Sequence, residues 1–151
     1  MRSAVRLSTI LILLVSISAC GRKIGPSEIP IQTTETFTGT IGPQGASHHA
    51  FTVNYAVTFT DATLTLTSLT KVSDGSVPAI SVGLAFGNTN STGSVCTRAP
   101  SYTRVAVSVN QPLPTVDVPF INGLYCVQIF DNPAVPTITE PLNYTLQVVH
   151  Y

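Results

Sequence analysis

The chain has 151 residues, seven basic and seven acidic side chains, and a charged fraction of only 9%. An average soluble domain is charged at about 25% of its positions, so Thr, Ser and Asn carry the solubility here. With no concentrated positive charge to neutralise phosphates, no nucleic-acid partner is expected.

Residues 1–19 read as a lipoprotein signal peptide. Arg2 and Arg6 supply the positive start and Ile10 to Val15 the apolar stretch; small Ser18 and Ala19 precede Cys20, as cleavage by a signal peptidase requires. Ile17-Ser18-Ala19-Cys20 resembles a lipobox. Its processing would leave Cys20 first in the chain, with diacylglycerol on its sulfur and an acyl chain such as palmitate on its amine. A transmembrane helix needs about 20 apolar residues, and this stretch is shorter and broken by Ser8, Thr9 and Ser16. A plain cleaved signal and a retained anchor are the alternatives. Cleavage removes Arg2 and Arg6 and leaves 132 residues with five basic and seven acidic side chains, a formal charge of −2. That length suits one domain with a core and is too short for two.

Residues 20–33 form the lipidated cysteine and a tether. Gly25, Pro26 and Pro30 interrupt regular structure, and proline holds such a segment extended. From Gly21 to Thr33 it reaches at most about 43–47 Å, enough to hold a domain clear of lipid headgroups. Arg22 and Lys23 either pair with anionic headgroups or are solvated linker charges.

Residues 34–151 alternate with period two. Phe51, Val53, Tyr55, Val57 and Phe59 share one face, against Thr52, Asn54, Thr58 and Thr60. Leu64 and Leu66 alternate with Thr63, Thr65 and Thr67; Ile80, Val82, Leu84 and Phe86 follow, then Val105, Val107 and Val109. Tyr125, Val127 and Ile129, then Tyr144, Leu146 and Val148, complete the pattern. Such alternation predicts antiparallel strands with one buried face, and β-branched Thr and Val favour the pleat. No stretch after residue 33 predicts a helix. The prolines, all beyond residue 25, mark joints, Pro100, Pro112 and Pro114 among them. Turns are predicted at Gly42-Pro43-Gln44-Gly45, Asp74-Gly75, Asn88 to Gly93, Asn122-Gly123 and Asp131-Asn132-Pro133. Seven or eight short strands separated by turns predict an all-β antiparallel sandwich.

Three cysteines are present. With Cys20 consumed by lipid, Cys96 and Cys126 remain as a pair in an oxidising compartment, and one disulfide is the simplest reading. It would close a loop of about 31 residues and stabilise by roughly 3.5–4 kcal/mol on the chain-entropy model. A metal pair or two free thiols are the alternatives.

Phe37-Thr38-Gly39-Thr40-Ile41 and Gly45-Ala46-Ser47-His48-His49-Ala50-Phe51-Thr52-Val53 resemble the opening of bacterial pre-peptidase C-terminal domains. Gly123-Leu124-Tyr125-Cys126-Val127-Gln128-Ile129-Phe130-Asp131 and Thr139-Glu140-Pro141-Leu142-Asn143-Tyr144-Thr145-Leu146-Gln147-Val148 are similar to their last two strands. The resemblance covers residues 36–150 and implies a jelly-roll-like sandwich, an accessory module without enzymatic activity. Some such modules bind polymers such as collagen or polysaccharide, and some bind calcium. Here the domain is expected to stand alone behind a lipid anchor, with no protease attached.

Chemistry-bearing residues are sparse. His48 and His49 are neighbours on a predicted strand, so their side chains point to opposite faces and do not chelate one ion. Asp131 and Glu140 flank a proline-rich loop and are the calcium candidates, although only two carboxylates are local and Asp131 also suits a turn cap. Tyr102, beside Arg104 and Arg98, is the candidate for stacking a ligand. Gly45-Ala46-Ser47-His48-His49 lacks the second glycine of a nucleophile elbow, and no His-Glu-x-x-His occurs. Neither an enzyme nor a cofactor is expected. The expected function is that of a lipid-anchored extracytoplasmic module in a bacterial envelope, binding a protein or polysaccharide. Gly21, in place of the Asp that retains many lipoproteins at an inner membrane, favours the outer membrane. A structural or assembly component of an envelope complex is the second expectation.

Overall fold

A computed structural model describes residues 31–54, 62–114, 122–134 and 137–151. The signal peptide, Cys20, most of the tether, and Tyr55, Val57 and Phe59 lie outside the described residues. The remainder forms eight strands: β1 (Thr33–Ile41), β2 (Ala46–Val53), β3 (Thr63–Lys71), β4 (Val82–Thr89), β5 (Cys96–Val107), β6 (Pro112–Pro114), β7 (Gly123–Phe130) and β8 (Leu142–His150). No helix occurs among the described residues. Sheet A has the order β1-β8-β3-β6 and sheet B the order β2-β7-β4-β5, all pairings antiparallel. Consecutive strands alternate between the two packed sheets except for β4 and β5, which are neighbours in sheet B, and this order makes a jelly roll, as expected.

The core follows the alternation. Leu142, Tyr144, Leu146 and Val148 of β8 are buried, as are Leu64, Leu66 and Leu69 of β3. Opposite them lie Phe51 and Val53 of β2, Val82, Leu84 and Phe86 of β4, and Val127 and Ile129 of β7. Each such aliphatic or aromatic side chain stabilises the fold by about 1.5–3 kcal/mol relative to exposure. Strict period two would send Leu69 outward. A bulge between Leu66 and Ser68 shifts the register against β8 and brings Leu69 back to the core.

Turn chemistry closes the strands. Gln44 has φ 53° and Gly45 N–H donates to the Gly42 carbonyl at 3.0 Å; proline ahead of the positive-φ residue suits this turn. Asp74 Oδ1 accepts from the Ser76 amide at 2.9 Å, and Gly75 takes φ 72°.

Two expectations need correction. Pro112-Leu113-Pro114 is a short strand, not only a joint; at the edge of sheet A its missing amide protons leave no central ladder incomplete. Val105 does not continue the buried row, being 51% exposed. A bulge opposite Val82 and Leu84 shifts the β5 register there, and Val107 alone of the three valines is fully buried. Tyr102, the candidate for stacking a ligand, is half-buried, with part of its ring packed against the core.

The disulfide is formed between Cys96 and Cys126, with Cα atoms 5.8 Å apart. It staples the start of edge strand β5 to β7 across β4, beside Gly87. A Cβ at Gly87 would collide with the Thr97 backbone carbonyl and lie 3.1 Å from Cys126 Sγ. Replacing both cysteines by serine is expected to lower stability by about 3–4 kcal/mol in urea unfolding. Gly87→Ala is expected to lose about 1–3 kcal/mol, because the neighbour in the way is backbone and cannot rotate aside.

Candidate functional site

The two sheets present unlike outer faces. On sheet A, Thr34, Thr36, Thr38 and Thr40 of β1 occupy the positions that alternate with inward Glu35, Phe37 and Gly39. They lie opposite Val149, Gln147, Thr145 and Asn143 of β8 in the ladder. Thr63, Thr65, Ser68 and Thr70 of β3 continue the same rows. These positions carry no charged side chain. Thr40 Oγ1 donates to Asn143 Oδ1 at 2.9 Å, and Thr67, the extra residue of the bulge, donates to the Thr145 carbonyl at 3.2 Å. Thr38, Thr40, Ser68, Thr70, Asn143 and Thr145 line an open depression of about 400 Å³. Hydroxyls and amides there stand at the strand spacing of about 4.7–4.9 Å across and two residues along.

Sheet B covers its own outer face. Gly83 and Gly87 of β4 leave room for the larger Phe130 and Cys126 of β7, their ladder neighbours, and small Ala85 lies opposite Gln128. Arg98 caps Phe130, its guanidinium carbon 4.3 Å from the ring centroid, a cation–π contact. The β5 register skips from Thr103 to Arg98 opposite Ala85 and Gly87, and the intervening residues, Pro100 among them, bulge out of the ladder.

The calcium candidates are committed elsewhere. Buried Asp131 accepts the Gln44 amide at 3.0 Å and the Thr137 amide at 2.9 Å, one on each oxygen. Its own amide donates to the Gly45 carbonyl at 2.9 Å, so it clamps the β1–β2 turn to the loop after β7. Glu140 pairs with Lys71 at 2.8 Å and accepts from Ser73 at 2.7 Å. The Lys71 hydrogen bond, then that of Ser73, holds the Glu140 carboxyl below its ordinary pKa. Among the described residues no three His, Cys, Asp or Glu side chains gather as metal ligands. Arg104 is exposed while Tyr102 rests on the core, so the proposed stacking ring offers only part of its surface.

His48 and His49 do part to opposite faces, as predicted. His49 turns inward, stacks on Phe37 with ring centroids 4.9 Å apart, and meets the Tyr144 hydroxyl at 2.8 Å from Nε2. Tyr144 donates to Ser47 Oγ at 2.6 Å, so His49 Nε2–H fills the acceptor side of the hydroxyl. This Ser47–Tyr144–His49 chain joins β2 of one sheet to β8 of the other. Gly39 makes it possible, since a Cβ there would strike the Tyr144 hydroxyl. Burial, with His48 adding to it, lowers the His49 pKa; burial raises that of Tyr144 against a smaller opposing effect of Ser47. Both shifts favour the neutral forms, in which His49 donates to Tyr144 and Tyr144 donates to Ser47 across the two sheets. Sequence reading missed this grouping because Tyr144 and Ser47 lie 97 positions apart; the in-phase placing of polar-tipped Tyr144 with Leu146 and Val148 was its trace in the sequence.

A comparison with protein-family models returns no match, and a comparison with curated proteins returns none either. The likeness to pre-peptidase C-terminal domains therefore stands on the quoted residues alone.

Tyr144→Phe is expected to lower stability by about 1–3 kcal/mol, because it strips a part-buried Ser47–His49 pair of its common partner. His49 has a folded pKa below its unfolded value, so the unfolded chain binds its proton more readily. Stability is expected to fall as pH drops from the ordinary histidine range through the lowered His49 value. A series of thermal midpoints should show this slope flattened in His49→Gln.

Proposed function

We propose that the chain is a lipid-anchored extracytoplasmic binding module, without enzymatic activity, that holds an uncharged polysaccharide against the outer face of sheet A. The observation that carries the reading is the three-strand array of Thr, Ser, Asn and Gln with no charge among its outward positions. Such a surface gives an ionic ligand no counter-charge, while its donors and acceptors suit a polymer of neutral hydroxyls. The depression lined by Thr38, Thr70 and Thr145 gives it a local concavity.

The Cys20 lipobox and the tether support attachment to a membrane surface, and Gly21 supports the outer membrane. The Cys96–Cys126 bridge fits the same picture, since disulfides persist in oxidising compartments. The pre-peptidase resemblance supports a binding role over catalysis.

Two results are expected. Cys20→Ser should move the chain from the membrane fraction to the soluble fraction, with loss of the acyl mass by mass spectrometry. Thr38→Val, Thr70→Val and Thr145→Val together keep the β-branched shapes and remove three hydroxyls. They should weaken retention on immobilised neutral polysaccharide by about tenfold or more. Retention unchanged by the triple substitution, or confined to anionic polymers, would refute the assignment of the face.

A further inference from the structure

The jelly roll has two unlike sides. On one side the sheet edges are β6 and β5. β6 is three residues long and carries Pro112 and Pro114; β5 is bulged and carries Pro100. Short length, proline and bulges are the devices that keep a foreign strand from pairing. On the other side the edges, among the described residues, are β1 and β2, and these two strands lack those devices. β1 runs nine residues in unbroken register with β8, without proline, lysine or bulge. Its one charge, Glu35, is directed inward and bound to His150 Nε2 at 2.9 Å. A strand in such a register leaves alternate amides and carbonyls directed away from the sheet, ready to pair.

The residues of β1 point to what pairs with them. A two-fold axis at Phe37 sets the strand antiparallel to its own copy with Thr36 opposite Thr38, Thr34 opposite Thr40, and Glu35 opposite Gly39. Threonine facing threonine is a favourable cross-strand pair, and no like charges meet. The alternation is preserved across the axis, so hydroxyls continue on the outer face and Phe37 stays on the inner one. β2 fits its own copy less well, because His48 and His49 stand together in its middle.

We propose that β1 pairs antiparallel with β1 of a second copy of this chain, centred on Phe37. The isologous contact joins two A sheets into one of eight strands and doubles the uncharged threonine face without a break. It needs neither the lipid nor a polymer ligand, so its outcome is separate from that of the proposed function.

The test uses the full chain in density-matched detergent and sedimentation velocity. The wild type is expected as a dimer. Thr36→Lys with Thr38→Lys opposes like charges on both sides of the axis and should give monomers; Thr36→Glu with Thr38→Glu should do the same. Mixing the two variants should restore a dimer that holds one chain of each. Both substituted positions are exposed, and an unchanged thermal midpoint shows that each monomer is folded. As a second measurement, tagged Thr36→Cys and untagged Thr38→Cys should form a mixed disulfide on oxidation in preference to either self-disulfide. A monomeric wild type overturns the proposal and leaves the edge to a foreign strand. A dimer that survives both charge variants, or cysteines that join without regard to register, overturns it as well.

Discussion

The alternation of β8 governs this molecule. The strand lies between β1 and β3, and its inward residues Leu142, Tyr144, Leu146, Val148 and His150 are all buried. Five buried positions in strict period two admit one register only, because a slip of one residue would turn the whole set to solvent. The same constraint fixes the other side of the sheet. Asn143, Thr145, Gln147 and Val149 must face outward, and the rows of β1 and β3 align with them. The core therefore decides which residues make up the outer face, and the residue types at those positions make it neutral.

Polar groups between the sheets are few and are matched in position. Tyr144 carries a hydroxyl into the interface, where Ser47 and His49 satisfy it. His150 is buried and meets Glu35. Asp131 accepts one amide from the β1–β2 turn, that of Gln44, and one from the loop between β7 and β8, that of Thr137. All three link segments distant in sequence, and two of them sit along the β1 and β2 edges. A buried polar group left without its partner is penalised, so these links select a single arrangement of that side. The opposite side is held by covalent and aromatic contacts, with Cys96–Cys126 and Arg98 over Phe130. The fold thus keeps one side blunted and bulged and the other regular.

The architecture was legible wherever burial follows period two. Leu64 and Leu66, Val82 to Phe86, and Tyr144 to Val148 all declare their faces, and the paired cysteines declared their bond. The phase broke where a bulge intervened: Leu69 returns to the core after Thr67, and Val105 leaves it. Bulges arise from ladder geometry and leave little mark on residue type. The short β6 was hidden because proline signals a joint, and an edge strand tolerates proline on its open side. Of the candidate site residues, Asp131 drew attention as a carboxylate near a loop. Its role as a clamp depends on Gln44, 87 positions away, and no local pattern encodes such a contact. The threonine array was visible strand by strand, but only the order β1-β8-β3 makes it one surface.

A module of this kind would work by exposure more than by chemistry. The lipid would fix its location, the tether would set its distance from the bilayer, and the rigid sandwich would present a neutral hydroxyl lattice. The most direct test is a methyl and amide NMR titration with a neutral, soluble oligosaccharide. The account predicts shifts concentrated at Thr38, Thr70, Asn143 and Thr145, with the outer face of sheet B silent. Shifts centred instead on Tyr102 and Arg104, or on the loop between Asp131 and Glu140, would contradict it.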